Sequence, residues 1–183
     1  MATAADARDR LQPALLDRLT DDTPSSLVES DDRRFVSKAA LRQAVIRDLG
    51  WLFNAVQPLP ASQAAGHSRA AHSVLNFGLP ALSGQVASKV DVSLVEKAIR
   101  DAIVDFEPRI VAGSLSVKAV EAEDVLSTHN VIEFEIHGLM WAQPVPLELL
   151  LRTQLDLEAG QVQVHDLSAG AAAALRAPSG GAT

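Results

Sequence analysis

An alternation of apolar and polar residues near the C-terminal end constrains the fold more than any other feature of the sequence. Leucines stand at positions 147, 149, 151, 155 and 157, and most of the positions between them are polar or charged. This period of two predicts a β-strand with one buried face and one solvated face. The dipeptide Ala159-Gly160 then predicts a turn into a returning strand that contains Val162 and Val164.

Two earlier segments, 115–119 and 131–139, show the same alternation. In the second segment the predicted inward side chains are Ile132, Phe134 and Ile136, and the predicted outward ones are Glu133, Glu135 and His137. Strands with one apolar face are typical of an antiparallel sheet that is covered on one side only. We therefore expect an antiparallel β-meander with its apolar face on helices and an acidic face in water.

Two long helices are predicted to supply that cover. Ser37 is a candidate N-cap for a helix that runs to about Asn54, with an apolar stripe that includes Leu41, Val45, Leu49, Leu52 and Val56. A second stripe, at positions 95 to 106, predicts another core helix, and Ser93 with Glu96 has the spacing of a capping box at its start. The predicted fold class is α+β, with two main helices packed on one face of a small antiparallel β-meander.

The second helix should stop abruptly at Glu107-Pro108-Arg109, because proline disfavours helical geometry at the residue before it. Glu107 and Arg109 would then lie two apart on extended chain, with side chains that project the same way. A carboxylate at the last position of a helix is mildly unfavourable. Two interpretations stay open. In the first, Glu107 and Arg109 form a solvated ion pair, or Arg109 bonds the last carbonyls of the helix. In the second, the acid belongs to a functional site or has a buried partner.

The domain organisation predicted from the sequence is an N-terminal arm and linker at 1–36, one α+β domain at 37–167, and a disordered tail at 168–183. Within the arm, leucines at 11, 15, 16 and 19 predict a short amphipathic stretch, which either belongs to a solvated segment or docks on a partner. The run from Ser73 to Gly84 predicts a packed, irregular connector, in which Asn76 or Gly78 adopts a positive φ.

Charge and composition narrow the function classes. The net charge is −7; residues 1–120 hold 14 acids and 14 bases, whereas 121–183 hold nine acids and two bases, so no basic stripe for nucleic acid is present. The chain has no cysteine, and His67 and His72 have no metal-site spacing, so no metal and no cofactor is expected. Without an apolar h-region or an 18-residue apolar run, we expect a soluble, unsecreted protein without direct membrane insertion.

Several motifs occur together and in order along the chain: LLDRLTDD, the 47–54 part of the first long helix, SVLNFGLPALSG, Glu107-Pro108-Arg109, EFEIHGLMW and LLLRTQLDLEAG. As an ordered set they resemble the TssE family, the small baseplate subunits of type VI secretion systems. That family is itself similar to the lysozyme-like wedge subunit of contractile phage tails. The resemblance covers roughly 11–166, and its most specific motif is the Glu-Pro-Arg triplet.

The resemblance implies a structural subunit without a catalytic site, in a cytoplasmic baseplate docked to an inner-membrane complex. Its expected partners are the wedge proteins TssF, TssG and TssK and the sheath proteins TssB and TssC, whose assembly would start on a sheath-handshake-like fold. Glu107, Pro108 and Arg109 would bind the wedge. An acid and a base at fixed spacing could engage opposite charges on a partner, and the last strand of the meander could add a sheath strand at its edge.

Two alternative functions stay open from the sequence. One is a lysozyme-like glycosidase, which would need two carboxyl groups on either side of the bond, one of them held protonated. The outward Glu133 and Glu135, and a Glu107 beside Arg109, are poorly suited to that chemistry. The other is a wedge subunit of a phage tail or a related injection particle, which the sequence does not separate from a secretion subunit.

Overall fold

The structure is a computed structural model. It describes residues 13–20, 24–25, 36–59, 61–64, 66–82, 90–120, 130–142 and 145–167. The predicted tail at 168–183 and most of the predicted linker lie outside the described residues, so the predicted domain boundaries stay a prediction. No helix in the described ranges is both long and apolar enough to cross a membrane.

The two predicted long helices are present. Helix α2 spans Lys38–Asn54, and its N-cap Ser37 accepts a hydrogen bond from the backbone of Ala40 at 3.1 Å, as the sequence predicts. Helix α5 spans Val92–Phe106. The shorter helices are α1 at Leu15–Leu19, α3 at Ala61–Ala64, α4 at Ser68–Ala71, and 3₁₀ turns at Val74–Asn76 and Ala112–Ser114.

Helix α5 begins at Val92, next to the predicted start near Ser93, but the predicted capping box is wrong. Asp91, not Ser93, is the N-cap, and its carboxylate accepts hydrogen bonds from the backbone of Ser93 at 3.1 Å and of Leu94 at 3.4 Å. Glu96 does not complete a capping box, because its carboxylate accepts a hydrogen bond from the backbone of Ala119 at 2.7 Å. A tertiary contact has therefore replaced the local one.

Four antiparallel strands form one sheet in the order β1-β2-β3-β4. They are β1 at Ser116–Ala119, β2 at Val131–Met140, β3 at Leu147–Asp156 and β4 at Gln161–Asp166. Register places Ile132 opposite Leu155 and Ile136 opposite Leu151. The turn after β3 contains Gly160 with a φ of 65°, which only glycine adopts readily. The predicted meander is confirmed.

Both long helices cover the same apolar face of the sheet, so the predicted α+β class is confirmed. Helix α2 packs mainly on β4, and α5 packs mainly on β1. The core between them consists of the buried members of the predicted stripes, among them Val45, Leu49, Ile99, Ile103, Phe134, Ile136, Leu149 and Leu151. Val56 was predicted on the α2 stripe but is exposed, because the helix ends at Asn54.

The connector after α4 packs against the end of α2 through Gly78. Its φ of 124° confirms that one of the two predicted positions has a positive φ. An added Cβ at this glycine would lie 2.3 Å from the carbonyl oxygen of Ala55, so the backbones approach too closely for any side chain. The approach allows Val56 and Leu79 to form a parallel bridge. Asn76 is buried and holds the connector through hydrogen bonds to Leu59 and Ala71.

Candidate functional site

The corner after α5 contains a buried ion pair, not a solvated one. Glu107 is 4% exposed. Its carboxylate accepts two hydrogen bonds from the guanidinium of Arg109, from Nε at 2.7 Å and from Nη2 at 2.5 Å, and a third from the Arg109 backbone at 3.2 Å. The two side chains project the same way, as the sequence predicts. The acid at the helix end therefore has a buried partner, which offsets its unfavourable position.

Arg109 also joins the corner to α2. Its Nη2 donates to Oδ2 of Asp48 at 2.6 Å, across 61 positions of sequence. Burial alone would lower the pKa of Arg109, but the hydrogen bonds and charges of Glu107 and Asp48 raise that pKa above its ordinary value. Nη1 of Arg109 is buried and meets no acceptor among the described residues. The guanidinium therefore stays charged, and the two N–H groups of Nη1 have no acceptor among the described residues.

The charge contacts continue from Asp48 to the N-terminal helix. Arg47 donates from Nε to Asp48 at 2.9 Å and from Nη1 to Asp17 of α1 at 2.5 Å. The guanidinium of Arg47 also lies over the ring of Trp51, 5.0 Å from the ring centroid. The sequence predicts Arg47 and Asp48 to be solvated or paired within the helix. That pairing is present, but each of the two residues also bonds a distant element.

An apolar groove of about 450 Å³ opens beside these charges. Its walls come from α1, α2, the connector and the end of α5. The lining residues are Ala14, Leu16, Asp48, Leu49, Trp51, Leu52, Phe77, Phe106, Glu107, Pro108 and Arg109. This volume falls in the range of roughly 300–1,000 Å³ that is typical of binding sites, so the groove can take side chains of another molecule.

Aromatic side chains on the groove are accessible. Trp51 is 53% exposed and Phe77 is 36% exposed. Phe77 contacts Phe106 edge to face, with ring centroids 5.2 Å apart. Exposed aromatics are the residues most enriched at protein–protein contact sites. The sequence analysis did not identify Trp51. Its position on α2, off the apolar stripe, could have indicated an exposed tryptophan.

The outward face of the sheet carries paired charges that do not resemble a glycosidase site. Arg152 on β3 donates to Glu135 on β2 at 2.6 Å and lies 3.9 Å from Glu133. The hydrogen bond from Arg152 lowers the pKa of Glu135. A general acid in glycoside hydrolysis needs a raised pKa, so this change has the wrong sign.

The two histidines considered as metal ligands flank helix α4, with His67 at its N-cap and His72 at its C-cap. His72 contacts Asp105 of α5, with Nδ1 2.7 Å from Oδ2, and this hydrogen bond raises the pKa of His72. In the part of the chain that the structure describes, no three His, Asp or Glu side chains are arranged to hold a metal ion.

Side chains of both long helices form hydrogen bonds with the outer edges of the sheet. Asn54 of α2 donates from Nδ2 to the carbonyl of Val162 at 2.8 Å and accepts from the Val162 backbone at 2.9 Å. Glu96 of α5 accepts from Ala119 at the other edge. Asn54 thus occupies both hydrogen-bonding groups that Val162 turns outward on β4.

One family model matches a stretch of the chain that contains every part of the site except α1. A family model described as baseplate wedge protein gp25 matches residues 39–145, which include Asp48, Trp51 and the Glu107–Arg109 corner. The comparisons with curated proteins and with solved structures gave no match.

Proposed function

The chain belongs to the family of baseplate wedge protein gp25, which includes the TssE subunits, and we propose that it is the TssE-type subunit of a type VI secretion baseplate. The family is one of structural baseplate proteins. In this proposal the subunit docks on a wedge of TssF, TssG and TssK in the cytoplasm. It then offers its sheet as the starting surface for the TssB/TssC sheath.

The observation that carries the wedge contact is the juxtaposition of a rigid corner and an open apolar groove. Glu107, Arg109 and Asp48 fix one another through short hydrogen bonds, so the groove rim is preorganised. Trp51 and Phe77 remain accessible on the walls. Preorganised apolar clefts with exposed aromatics are typical of protein-binding sites, and aromatic residues there contribute most of the affinity.

The proposal is tested by replacing each of two tryptophans that are similarly exposed but lie in different places. Trp51 lines the groove, whereas Trp141 is 57% exposed and is not among the lining residues. We expect Trp51→Ala to abolish co-purification with TssF and TssG from the same gene cluster, and Trp141→Ala to leave it unchanged. Circular dichroism checks that both variants are folded. Equal retention by both variants would show that the groove is not the wedge contact.

A reversal of the corner charges is a less informative test. Glu107→Arg with Arg109→Glu would place a new carboxylate where Arg109 now bonds Asp48 at 2.6 Å. Two carboxylates at that distance repel each other in a partly buried site. Loss of binding in that variant would therefore report a disturbed fold as readily as a lost contact.

For the sheath, we propose strand addition on β4 beyond Val162. The edge position of β4 supports this, but Asn54 already bonds both main-chain groups of Val162. Since alternate residues of a strand share one orientation, Val164 is the next residue that turns its N–H outward. Hydrogen exchange of the Val164 amide should slow when TssB and TssC assemble on the wedge-bound subunit. Unchanged exchange would exclude this edge.

The second candidate function is a wedge subunit of a phage tail or a related contractile particle. The family match supports both, because its description names a baseplate wedge protein without the type of machine. The genes that flank the coding sequence decide between them. Genes for TssF, TssG, the sheath and a membrane complex favour secretion, whereas tail-fibre and capsid genes favour a phage.

A further inference from the structure

Helix α1 is held on the protein by few contacts. None of its five residues is buried. Leu16 lines the groove, and Asp17 bonds Arg47 at 2.5 Å. A helix this short is not stable alone, since isolated helices need roughly 12–15 residues even to be marginal. The helical form and position of α1 therefore depend on the groove and on Arg47.

The charges around the groove are paired with one another. Asp17, Arg47, Asp48, Arg109 and Glu107 follow in a line, and each is bonded to the next. The arginine nitrogens without a hydrogen-bond acceptor among the described residues, Nη1 of Arg109 and Nη2 of Arg47, are buried. To reach them, a charged group of a partner would have to displace one of the internal ion pairs, so the rim favours an uncharged ligand.

The space enclosed by these elements is apolar and unfilled by α1. Leu16, Trp51, Phe77 and Phe106 all line it. The volume of about 450 Å³ exceeds what one leucine needs. Amphipathic helices commonly bind such grooves with several apolar side chains at helical spacing.

We propose that α1 is a movable wall of this groove, which closes on an uncharged, apolar helix face of the wedge partner. Leu16 contacts that face, and the Asp17–Arg47 ion pair holds α1 in place. The identity of the partner rests on the proposed function; the chemistry of the groove does not. In this proposal apolar side chains of the partner make the contact at the groove, in place of the charges opposite Glu107 and Arg109 that the sequence suggested.

Two leucines of α1 give a matched pair of variants in the full-length chain. Leu16 lines the groove, whereas Leu15 is 70% exposed and absent from the lining. We expect Leu16→Ala to weaken binding to the purified TssF–TssG complex about tenfold, and Leu15→Ala to change it less than about twofold. Equal affinities for the two variants, or tighter binding by Leu16→Ala, would overturn the proposal. Tighter binding would identify α1 as a cover that has to leave.

Salt dependence separates apolar from charged recognition. The same affinity measured at about 0.1 M and about 0.5 M salt should change less than roughly threefold, because an apolar contact is not screened. A loss of more than about tenfold would show that ion pairs with the partner carry the binding, and would refute an uncharged ligand.

A measurement without the partner keeps the two proposals apart. The probe is the dye anilinonaphthalene sulfonate, whose emission rises in apolar sites. Emission with the wild-type chain should fall on Leu16→Ala and on Trp51→Ala but not on Leu15→Ala. If TssF–TssG fails to bind the wild-type chain, the proposed function is wrong, while this dye pattern still supports the groove. Equal emission from all the chains would overturn the groove itself.

Discussion

Replacement of Arg109 by methionine should cost several kcal/mol of stability, because it leaves Glu107 buried without its counter-ion. Asp48 keeps Arg47 as a partner, so the loss falls mainly on Glu107, which is 4% exposed. Breaking one side of a buried ion pair costs about 3–5 kcal/mol.

Urea denaturation at pH 7, followed by circular dichroism, measures this loss of stability. Arg100→Met, at an exposed position of α5, serves as the control and should change the free energy of unfolding by less than about 0.5 kcal/mol. A deficit of Arg109→Met below about 1 kcal/mol would refute a buried ion pair at this corner.

Three further perturbations test other parts of the structure. Gly78→Ala would place a Cβ 2.3 Å from the Ala55 carbonyl oxygen, at a φ of 124° that alanine rarely adopts. Thermal or urea unfolding should show that the free energy of unfolding falls by about 3 kcal/mol or more. A near-neutral effect would contradict this close approach. Asn54→Ala removes two hydrogen bonds to β4 and should cost about 1–2 kcal/mol, with faster amide exchange at that edge; unchanged exchange would argue against the contact. The raised pKa of His72 beside Asp105 adds stability below about pH 6.5, which is lost as the pH rises through that pKa, so His72→Gln should be more destabilising at about pH 5.5 than at pH 8.5 in urea unfolding.

The sheet was predictable because its signal is local and repeated. A period of two over ten residues leaves one face for the core, and a slip of one position would bury the charged side chains of the other face. The end of α5 was also predictable, since Pro108 acts on the residue directly before it. The cap of α5 was not predictable, because Glu96 accepts a hydrogen bond from the backbone of Ala119 at the edge of β1 and does not complete a capping box.

The candidate site was only half predictable, for a related reason. Glu107 and Arg109 are two residues apart, and extended chain brings their side chains together. Asp48 is far away in sequence, and nothing local indicates that its carboxylate meets Arg109. The degree of burial was also hidden, because a charged residue at a helix end is usually solvated. The sequence therefore located the corner but not the groove beside it.

The buried corner raises the question of why charged residues hold a position that apolar residues could stabilise at least as well. A buried ion pair contributes little net stability compared with apolar residues of similar volume, but its hydrogen bonds fix direction. Arg109 bonds the end of α5 and the middle of α2 at once, and these helices contribute Phe106 and Trp51 to the lining of the groove. We therefore infer that the ion pair sets the width of the groove.

A double variant separates this geometric role from stability. Glu107→Gln with Arg109→Met removes both charges and should recover at least about 2 kcal/mol relative to Arg109→Met alone, because no buried charge is left unpaired. If the ion pair sets the groove, the folded double variant should still bind TssF–TssG at least about tenfold more weakly than the wild type. Wild-type affinity in that variant would show that the corner contributes only to folding, and that the aromatic walls are positioned by the core alone.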